Sequence, residues 1–222
     1  MKNILKLNSL FNNKDLLDLA LTHKSWVNEN PGKRGSNERL EFLGDAILEF
    51  VVSRQLYEKF PDKEEGYLTA LRANIVNTVN LAKTAKNIEL GKALYLSKGE
   101  EDGGGRENSS LLADTVEAVI GALFLDQGLP ASESFISENL LFDIEVKTKE
   151  PLKDPKSRLQ EYVQAKGLPT PKYRVFKESG PDHEKNFQVE VVIDNKPWGL
   201  GEGKSKSLAE QKAAENALSK VL

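Results

Sequence analysis

The chain has 222 residues, enough for one large domain or a medium domain with a small companion, and its 39% of hydrophobic residues can form a core. It has no cysteine, which excludes disulfides and thiolate metal sites, and no run of the ~20 apolar residues that cross a bilayer. The net charge of −3 is uneven, because residues 154–222 carry 12 Lys and Arg against 10 Asp and Glu and the preceding residues carry 19 against 24.

The N-terminal region, residues 1–15, contains neither a continuous apolar run nor a small-residue cleavage site. We therefore expect no signal peptide, and a soluble cytoplasmic protein without a membrane partner. Residues 14–27 predict a helix that changes from apolar to polar at residues 22–25. We interpret His23 in this polar end as a structural hydrogen-bonding residue rather than as a metal ligand.

Residues 37–52, NERLEFLGDAILEFVV, predict an apolar helix with three carboxylates on one face. At about 100° per residue, Glu38, Glu41 and Asp45 fall within an arc of roughly 60°. Ser36 or Asn37 could cap the helix, which should end before Pro61. Because its other faces are apolar, we expect the helix to be buried, and buried like charges require a cation or hydrogen-bond donors nearby.

The next segments are predicted to connect this helix to a second acidic one. From residue 66 the pattern predicts helix, and Glu65 lies in a first turn where an acid can interact with the helix dipole. Residues 97–108, SKGEEDGGGREN, predict a flexible loop. This loop lacks the Gly-Lys-Ser/Thr of a P-loop, so we expect no nucleotide cofactor.

Residues 111–125, LLADTVEAVIGALFL, predict the second apolar helix, with Asn108 or Ser109 as its cap. Asp114 and Glu117 are three residues apart and therefore share one face. Any one of these acids could be a solvated or capping charge. Two apolar helices that pool four or five carboxylates instead favour a hard divalent ion, Mg²⁺ or Mn²⁺, over zinc.

The pattern changes after a further predicted helix at residues 131–141. Residues 143–155 are charged, contain two prolines and have no apolar face, so they predict a linker. Beyond it the order is helix, three strands and helix. We therefore expect an all-α domain (1–146), a linker (147–153) and a small α+β domain of αβββα order (154–222).

The αβββα segment has a pattern that suits duplex RNA. Lysines at the start of its last helix lie where a helix N-terminus attracts phosphates. Polar groups on its first helix and a histidine in the loop between its first two strands could reach shallow RNA grooves. Each lysine alone could be a solvated charge. The candidate RNA-binding residues are Ser157, Gln160, Gln164, His183, Lys204, Lys206 and Lys212.

The segment NERLEFLGDAIL resembles the signature motif of bacterial ribonuclease III, and LADTVEAVIGALFLD resembles its second acidic motif. The C-terminal stretches DPKSRLQEYVQ, GPDHEKNF and GEGKSKSLAEQKAA resemble a double-stranded RNA-binding domain. Together these resemblances cover nearly the whole chain. They imply a homodimeric endonuclease that uses a divalent metal to cut double-stranded RNA, including ribosomal RNA precursors and other structured transcripts. The implied products have 5′-phosphate and 3′-hydroxyl ends with short 3′ overhangs.

The resemblance also implies roles for individual residues. It assigns metal binding to Glu41, Asp45, Asp114 and Glu117, and catalysis to Asp45 and Glu117. It implies that Glu38 and Glu65 are supporting acids. It also implies that Phe42 packs into the partner subunit. Two alternatives stay open: an RNA-binding protein without catalysis, and an all-helical nucleotide phosphohydrolase. The second usually needs a His-Asp pair, and His23 has no adjacent aspartate.

Overall fold

The computed structural model describes residues 7–142, 144, 154–181 and 185–221. The chain divides into two compact units, Met1–Glu150 and Pro151–Leu222. The expected linker, residues 147–153, lies outside the described residues, so its boundaries stay predictions. Among the residues that are described, no helix combines the length and the apolar character needed to cross a membrane.

The first unit is built from helices, and its described residues include no strand beyond an isolated bridge between Thr22 and Tyr95. The all-helical prediction for this unit is confirmed. Its fully described α-helices are α1 (Lys14–Ala20), α2 (Lys24–Glu29), α3 (Glu38–Lys59), α4 (Glu65–Ile75), α5 (Thr78–Asn87), α6 (Lys98–Asp102), α7 (Ser109–Gln127) and α8 (Leu129–Asn139).

The single helix expected over residues 14–27 is wrong, because the chain breaks between α1 and α2. A distant residue holds the break: the Tyr95 N–H donates to the Leu21 carbonyl (2.9 Å), and the His23 N–H donates to the Tyr95 carbonyl (3.1 Å). His23 then caps α2, since its Nδ1 accepts from the Ser25 N–H at 3.2 Å. The interpretation of His23 as a structural hydrogen-bonding residue is confirmed.

The other predicted helices of this unit need smaller corrections. α3 begins after Asn37 and ends before Pro61 as expected, but the Asn37 side chain donates to the Ala20 carbonyl (3.3 Å) instead of capping the helix. Asn108 does cap α7, by accepting from two backbone N–H groups. The helical region after Pro61 is divided into α4 and α5, because the side chain of Asn77 caps α5.

The glycine-rich segment at residues 97–108 is more regular than a flexible loop. It contains α6 and a 3-10 turn, Gly105–Glu107. Arg106 anchors the segment, because its guanidinium donates to the carbonyls of Gly91 (2.9 Å) and Leu94 (3.1 Å). The prediction of irregular structure was wrong because this long-range anchor is not visible in local sequence.

The centre of the first unit is the crossing of α3 and α7. Two glycines let the backbones touch, since a Cβ at Gly44 would lie 1.7 Å from the Glu117 carbonyl oxygen and one at Gly121 would lie 2.3 Å from the Leu40 carbonyl oxygen. No other residue fits at these positions without moving a helix. Each helix also contributes fully buried side chains to the core, among them Leu48, Val51, Val116, Val119, Ile120 and Leu123.

The second unit has the predicted αβββα order. Its elements are α9 (Pro155–Ala165), β1 (Lys172–Ser179), β2 (Asn186–Ile193), β3 (Lys196–Gly203) and α10 (Lys206–Leu218). The strands form one antiparallel sheet in the order β1-β2-β3. Leu159 and Val163 of α9 and Val191 of β2 are buried in one core with alanines of α10. The small α+β prediction is therefore confirmed.

Candidate functional site

Three acidic side chains converge where α3 crosses α7. Glu41 comes from α3, whereas Asp114 and Glu117 come from successive turns of α7, and all three are partly buried. One carboxylate oxygen of each lies within 4.8 Å of the others. Three oxygen ligands at this spacing could hold a hard divalent cation.

The pKa values of these acids are raised because the carboxylates are partly buried and close together. Burial raises the pKa of Glu117 to about 7, with additional contributions from the charges of Asp45, Asp114 and Glu41. The pKa of Glu41 is raised by burial and then by the charge of Asp114. Burial also raises the pKa of Asp114, although the nearby His23 opposes the shift. The site therefore disfavours its own negative charges and would favour a cation.

Asp45, the fourth predicted ligand, stands apart from this group. It lies one turn beyond Glu41 on α3, is exposed, and is not among the three acids whose oxygens converge. Its charge nevertheless raises the pKa of both Glu117 and Glu41. The structure thus brings three of the four predicted ligands together and leaves Asp45 within electrostatic reach of them.

The two supporting acids have different positions. Glu38 accepts hydrogen bonds from Lys24 Nζ and Ser36 Oγ, both at 2.8 Å, and these bonds hold its pKa below the usual value. Its charge contributes to the raised pKa of Glu41, so it lies near the site. Glu65 accepts from Thr69 Oγ1 (2.8 Å) on α4 and is not part of the three-acid group.

Sequence reasoning missed a second layer of residues around the site. Gly44 and Gly121 set the distance between the helices that carry the acids. Their signal was a glycine inside each of the two helices that carry the acids, where glycine is otherwise unfavourable. Glu49 pairs with Arg72 of α4 (2.7 Å), and its charge adds to the raised pKa of Glu117.

The predicted RNA-binding residues of α9 lie on its exposed side. Gln160 and Gln164 are exposed. Ser157 is also exposed, but its hydroxyl donates to Asp154 Oδ2 at 2.6 Å within the cap of α9. Its Oγ can still accept a hydrogen bond from a ligand. His183 lies outside the described residues, so its placement stays a prediction.

The three predicted lysines are exposed at and beyond the start of α10. Lys204 lies directly before Ser205, which caps the helix by accepting from the Leu208 N–H. Lys206 is the first residue of the helix and pairs with Glu178 of β1 at 3.4 Å. Lys212 is exposed further along the same helix. Lys204 and Lys206 flank a helix N-terminus, where phosphate binds favourably.

Comparisons with known proteins agree with the description of both units of the chain. Residues 13–144 match the family model described as Ribonuclease-III-like, and residues 155–221 match the double-stranded RNA binding motif. Ribonuclease 3 of Enterococcus faecalis is 47% identical over 213 residues, covering 96% of this chain and 93% of the relative. Ribonuclease 3 of Streptococcus gordonii is 44% identical over 212 residues, covering 95% and 91%.

A solved structure supports the fold of the first unit independently. The nuclease domain of ribonuclease III from Campylobacter jejuni is 42% identical and superposes with a TM-score of 0.57, covering 64% of this chain and 97% of that domain. The converging acids therefore lie in the part of the chain that matches a nuclease domain. From its two family models, its curated relatives and this structural likeness, the chain belongs to the ribonuclease III family.

Proposed function

We propose that this member of the family cuts double-stranded RNA with a divalent cation held by Glu41, Asp114 and Glu117, with Asp45 completing the site. The observation that carries the proposal is the convergence of three partly buried carboxylates at the crossing of two helices. Their chemistry fits Mg²⁺, with Mn²⁺ able to replace it, because both ions prefer oxygen ligands. The raised pKa values of the three acids also favour a bound cation, since a cation would relieve the repulsion among the carboxylates.

A bound cation would supply an activated water and stabilise the charge that develops on the leaving 3′ oxygen. Glu41, Asp114 and Glu117 orient this chemistry from two helices in backbone contact. Asp45 and Glu117 are the proposed catalytic residues, with the exposed Asp45 accepting a hydrogen bond from the attacking water. Glu38 and Glu65 are proposed as supporting acids. The proposed products have 5′-phosphate and 3′-hydroxyl ends with short 3′ overhangs, and the proposed substrates include ribosomal RNA precursors in the cytoplasm.

Removal of the metal tests the proposal directly. A labelled RNA duplex should be cut in Mg²⁺ and left intact after chelation, whereas its binding to the protein should survive chelation. End-group analysis should find 5′-phosphate on every product. Binding without cleavage at any Mg²⁺ or Mn²⁺ concentration would favour the non-catalytic alternative, an RNA-binding protein that keeps only the fold.

We also propose a homodimer, because α3 exposes large apolar side chains that a monomer would leave in water. Phe42 is 82% exposed and Tyr57 is 74% exposed. A groove of about 770 Å³ lies beside Tyr57, between α3 and α4, and Phe60 and Leu68 contribute to its lining. A second nuclease-domain structure of ribonuclease III from Campylobacter jejuni, with TM-score 0.55 and 42% identity, shows structural flexibility in a region involved in dimer formation. An apolar surface of this kind is typical of an interface.

Phe42→Ala should weaken the dimer, because truncation of an aromatic side chain at a packed contact removes roughly 3 kcal/mol or more of favourable free energy. That loss corresponds to a dissociation constant raised about 100-fold or more, which sedimentation across a concentration series would measure. Leu125→Ala, which truncates an exposed leucine on α7, is the control and should leave association unchanged. A monomeric wild-type protein at micromolar concentration would contradict the dimer.

The second unit is proposed to bind the RNA duplex through the exposed side of α9 and the start of α10. Lys204→Glu combined with Lys206→Glu should weaken duplex binding and lower its salt dependence, by about one unit of slope for each phosphate that is no longer bound. Filter binding over a series of salt concentrations would measure both effects.

A matched control for the lysine pair exists at the other end of the sheet. Lys172 of β1 pairs with Val192 of β2, and Val192 pairs with Pro197 of β3, which follows Lys196 directly. The two lysines therefore lie at the same end of the sheet, whereas Lys204 follows the opposite end of β3. Lys172→Glu combined with Lys196→Glu makes the same change in net charge. Equal losses of binding in the two double variants would mean that net charge alone, and not the start of α10, determines the affinity.

A further inference from the structure

An acidic side chain lies beside one of the proposed RNA-binding lysines. Glu178, near the end of β1, has a carboxylate oxygen 3.4 Å from Lys206 Nζ at the start of α10. Lys206 Nζ also lies over the ring of Phe187, 5.6 Å from the ring centre. Phe187 is the residue of β2 that pairs with Glu178. Two contacts therefore hold the ammonium group of Lys206 at one end of the sheet.

Other candidate RNA-binding residues follow in sequence from the same end of the sheet. Ser179 pairs with Asn186 there, and the connection between these two residues contains the candidate His183. Lys204 directly follows the neighbouring end of β3. Glu178 thus places a negative charge beside the surface that is proposed to bind phosphates.

The carboxylate of Glu178 can affect RNA binding in two opposite ways. If it orients Lys206, it reduces the entropy that the lysine loses on binding a phosphate. It also occupies the ammonium group and repels any phosphate that approaches. The lysine and glutamate side chains are 59% and 42% exposed, so the ion pair orders the lysine only weakly. A phosphate on Lys206 would lie within one screening length of the carboxylate, about 8 Å at physiological salt, so the repulsion is the larger effect.

We propose that Glu178 lowers the affinity of the second unit for RNA by competing with RNA phosphates for Lys206. In the free protein the carboxylate neutralises part of the positive charge at the start of α10, and a phosphate must displace it. An exposed ion pair is weak enough to be displaced in this way. The competition favours release of the cut duplex and involves no group of the acidic site. The inference rests on the proposed binding of RNA at the start of α10.

A double-mutant cycle on Glu178 and Lys206 tests the competition. Duplex binding by the full chain is measured in chelator, where no divalent metal is available for cleavage. Glu178→Gln removes the charge and keeps the shape of the side chain, so it should tighten binding about 2- to 5-fold at low salt, the size of one exposed ion pair. In a chain that carries Lys206→Gln, the same change should tighten binding only by the small amount due to net charge.

A control for net charge exists at the opposite end of the sheet. Asp194 lies in the turn between β2 and β3, and Asp194→Asn removes one negative charge there. Its φ of 49° is a conformation that asparagine also adopts readily, so the turn should be unaffected. This variant should change duplex affinity less than Glu178→Gln does. Both single variants should melt near the wild-type temperature.

Three results would overturn the inference. Equal effects of Glu178→Gln and Asp194→Asn would mean that net charge alone matters. Weaker binding by the Glu178→Gln variant would mean that Glu178 orients Lys206 for RNA. The same gain with and without Lys206 would mean that the carboxylate repels RNA directly. If the wild-type chain itself does not bind duplex RNA, the proposed function fails first.

Discussion

Glu117→Gln is expected to lower cleavage of duplex RNA on the order of 100- to 1000-fold while leaving duplex binding intact. Glu117 is one of the three acids whose oxygens converge, and the amide that replaces it offers the metal a weaker, uncharged ligand. The proposed RNA-binding residues lie in the other unit, so the gel-shift affinity should not change. Mn²⁺, which binds such sites more tightly than Mg²⁺, should restore part of the activity.

The same substitution should stabilise the metal-free protein above neutral pH. The pKa of Glu117 is raised from 4.5 to about 7 in the folded state, so folding loses stability as the pH rises from about 4.5 to about 7 and the folded carboxyl ionises. Glutamine has no such loss. After allowance for solvent screening, we expect a gain of roughly 1–2 kcal/mol at pH 8 and none at pH 4, measured by thermal melting in chelator.

A matched control is Glu107→Gln, which makes the same chemical change at an exposed residue paired with Lys86. It should leave cleavage and the pH dependence of melting at wild-type values, since exposed ion pairs contribute little. The assignment of Glu117 as a metal ligand would be wrong if Glu117→Gln cut RNA at the wild-type rate. It would also be wrong if cleavage were lost only through unfolding or through failure to bind RNA.

Gly44→Ala should destabilise the protein by roughly 3 kcal/mol or more, because the added methyl group overlaps the backbone of a second helix. Its Cβ would lie 1.7 Å from the carbonyl oxygen of Glu117, so α3 and α7 must separate to admit it. That separation would also spread the converging acids. We therefore expect both a lower melting temperature and a higher Mg²⁺ requirement for cleavage.

Gly66→Ala controls for the general effect of replacing a helical glycine. Gly66 lies in α4, and a Cβ there would have no atom within 4 Å. Alanine should stabilise that helix slightly, by about 0.5–1 kcal/mol, with no change in the Mg²⁺ requirement. If the Gly44 variant melted like the Gly66 variant, contact between the α3 and α7 backbones could not be what sets the site.

The acids were predictable from the sequence because charge inside an apolar helical pattern is costly and therefore informative. Glu41, Asp114 and Glu117 were identified in this way, and the structure brings them together. The separate position of Asp45 was not predictable, since helical spacing gives a shared face but not the distance to a second helix. Glu65 was assigned through the family resemblance alone, and it bonds to Thr69 on its own helix and is not among the three converging acids.

Two of the errors in the fold have the same physical cause, which is hydrogen bonding between residues distant in sequence. Local pattern predicts a continuous helix over residues 14–27, whereas the backbone of Tyr95 interrupts it. Arg106 likewise gives regular structure to a segment whose composition is typical of a flexible loop. The αβββα unit was easier to predict because antiparallel strands that follow one another along the chain pair with their neighbours.

The glycine contact between α3 and α7 affects how much the site must rearrange when an ion binds. The acids are attached to two helices whose backbones touch at Gly44 and Gly121, so the backbone positions that carry them cannot move apart in the absence of metal. The packing of the helices thus fixes the points from which the carboxylates extend before an ion arrives. Metal binding then needs no loop to fold and loses little conformational entropy. Such a site resembles a rigid chelator, whose selectivity depends on the size of its opening rather than on rearrangement around the ion.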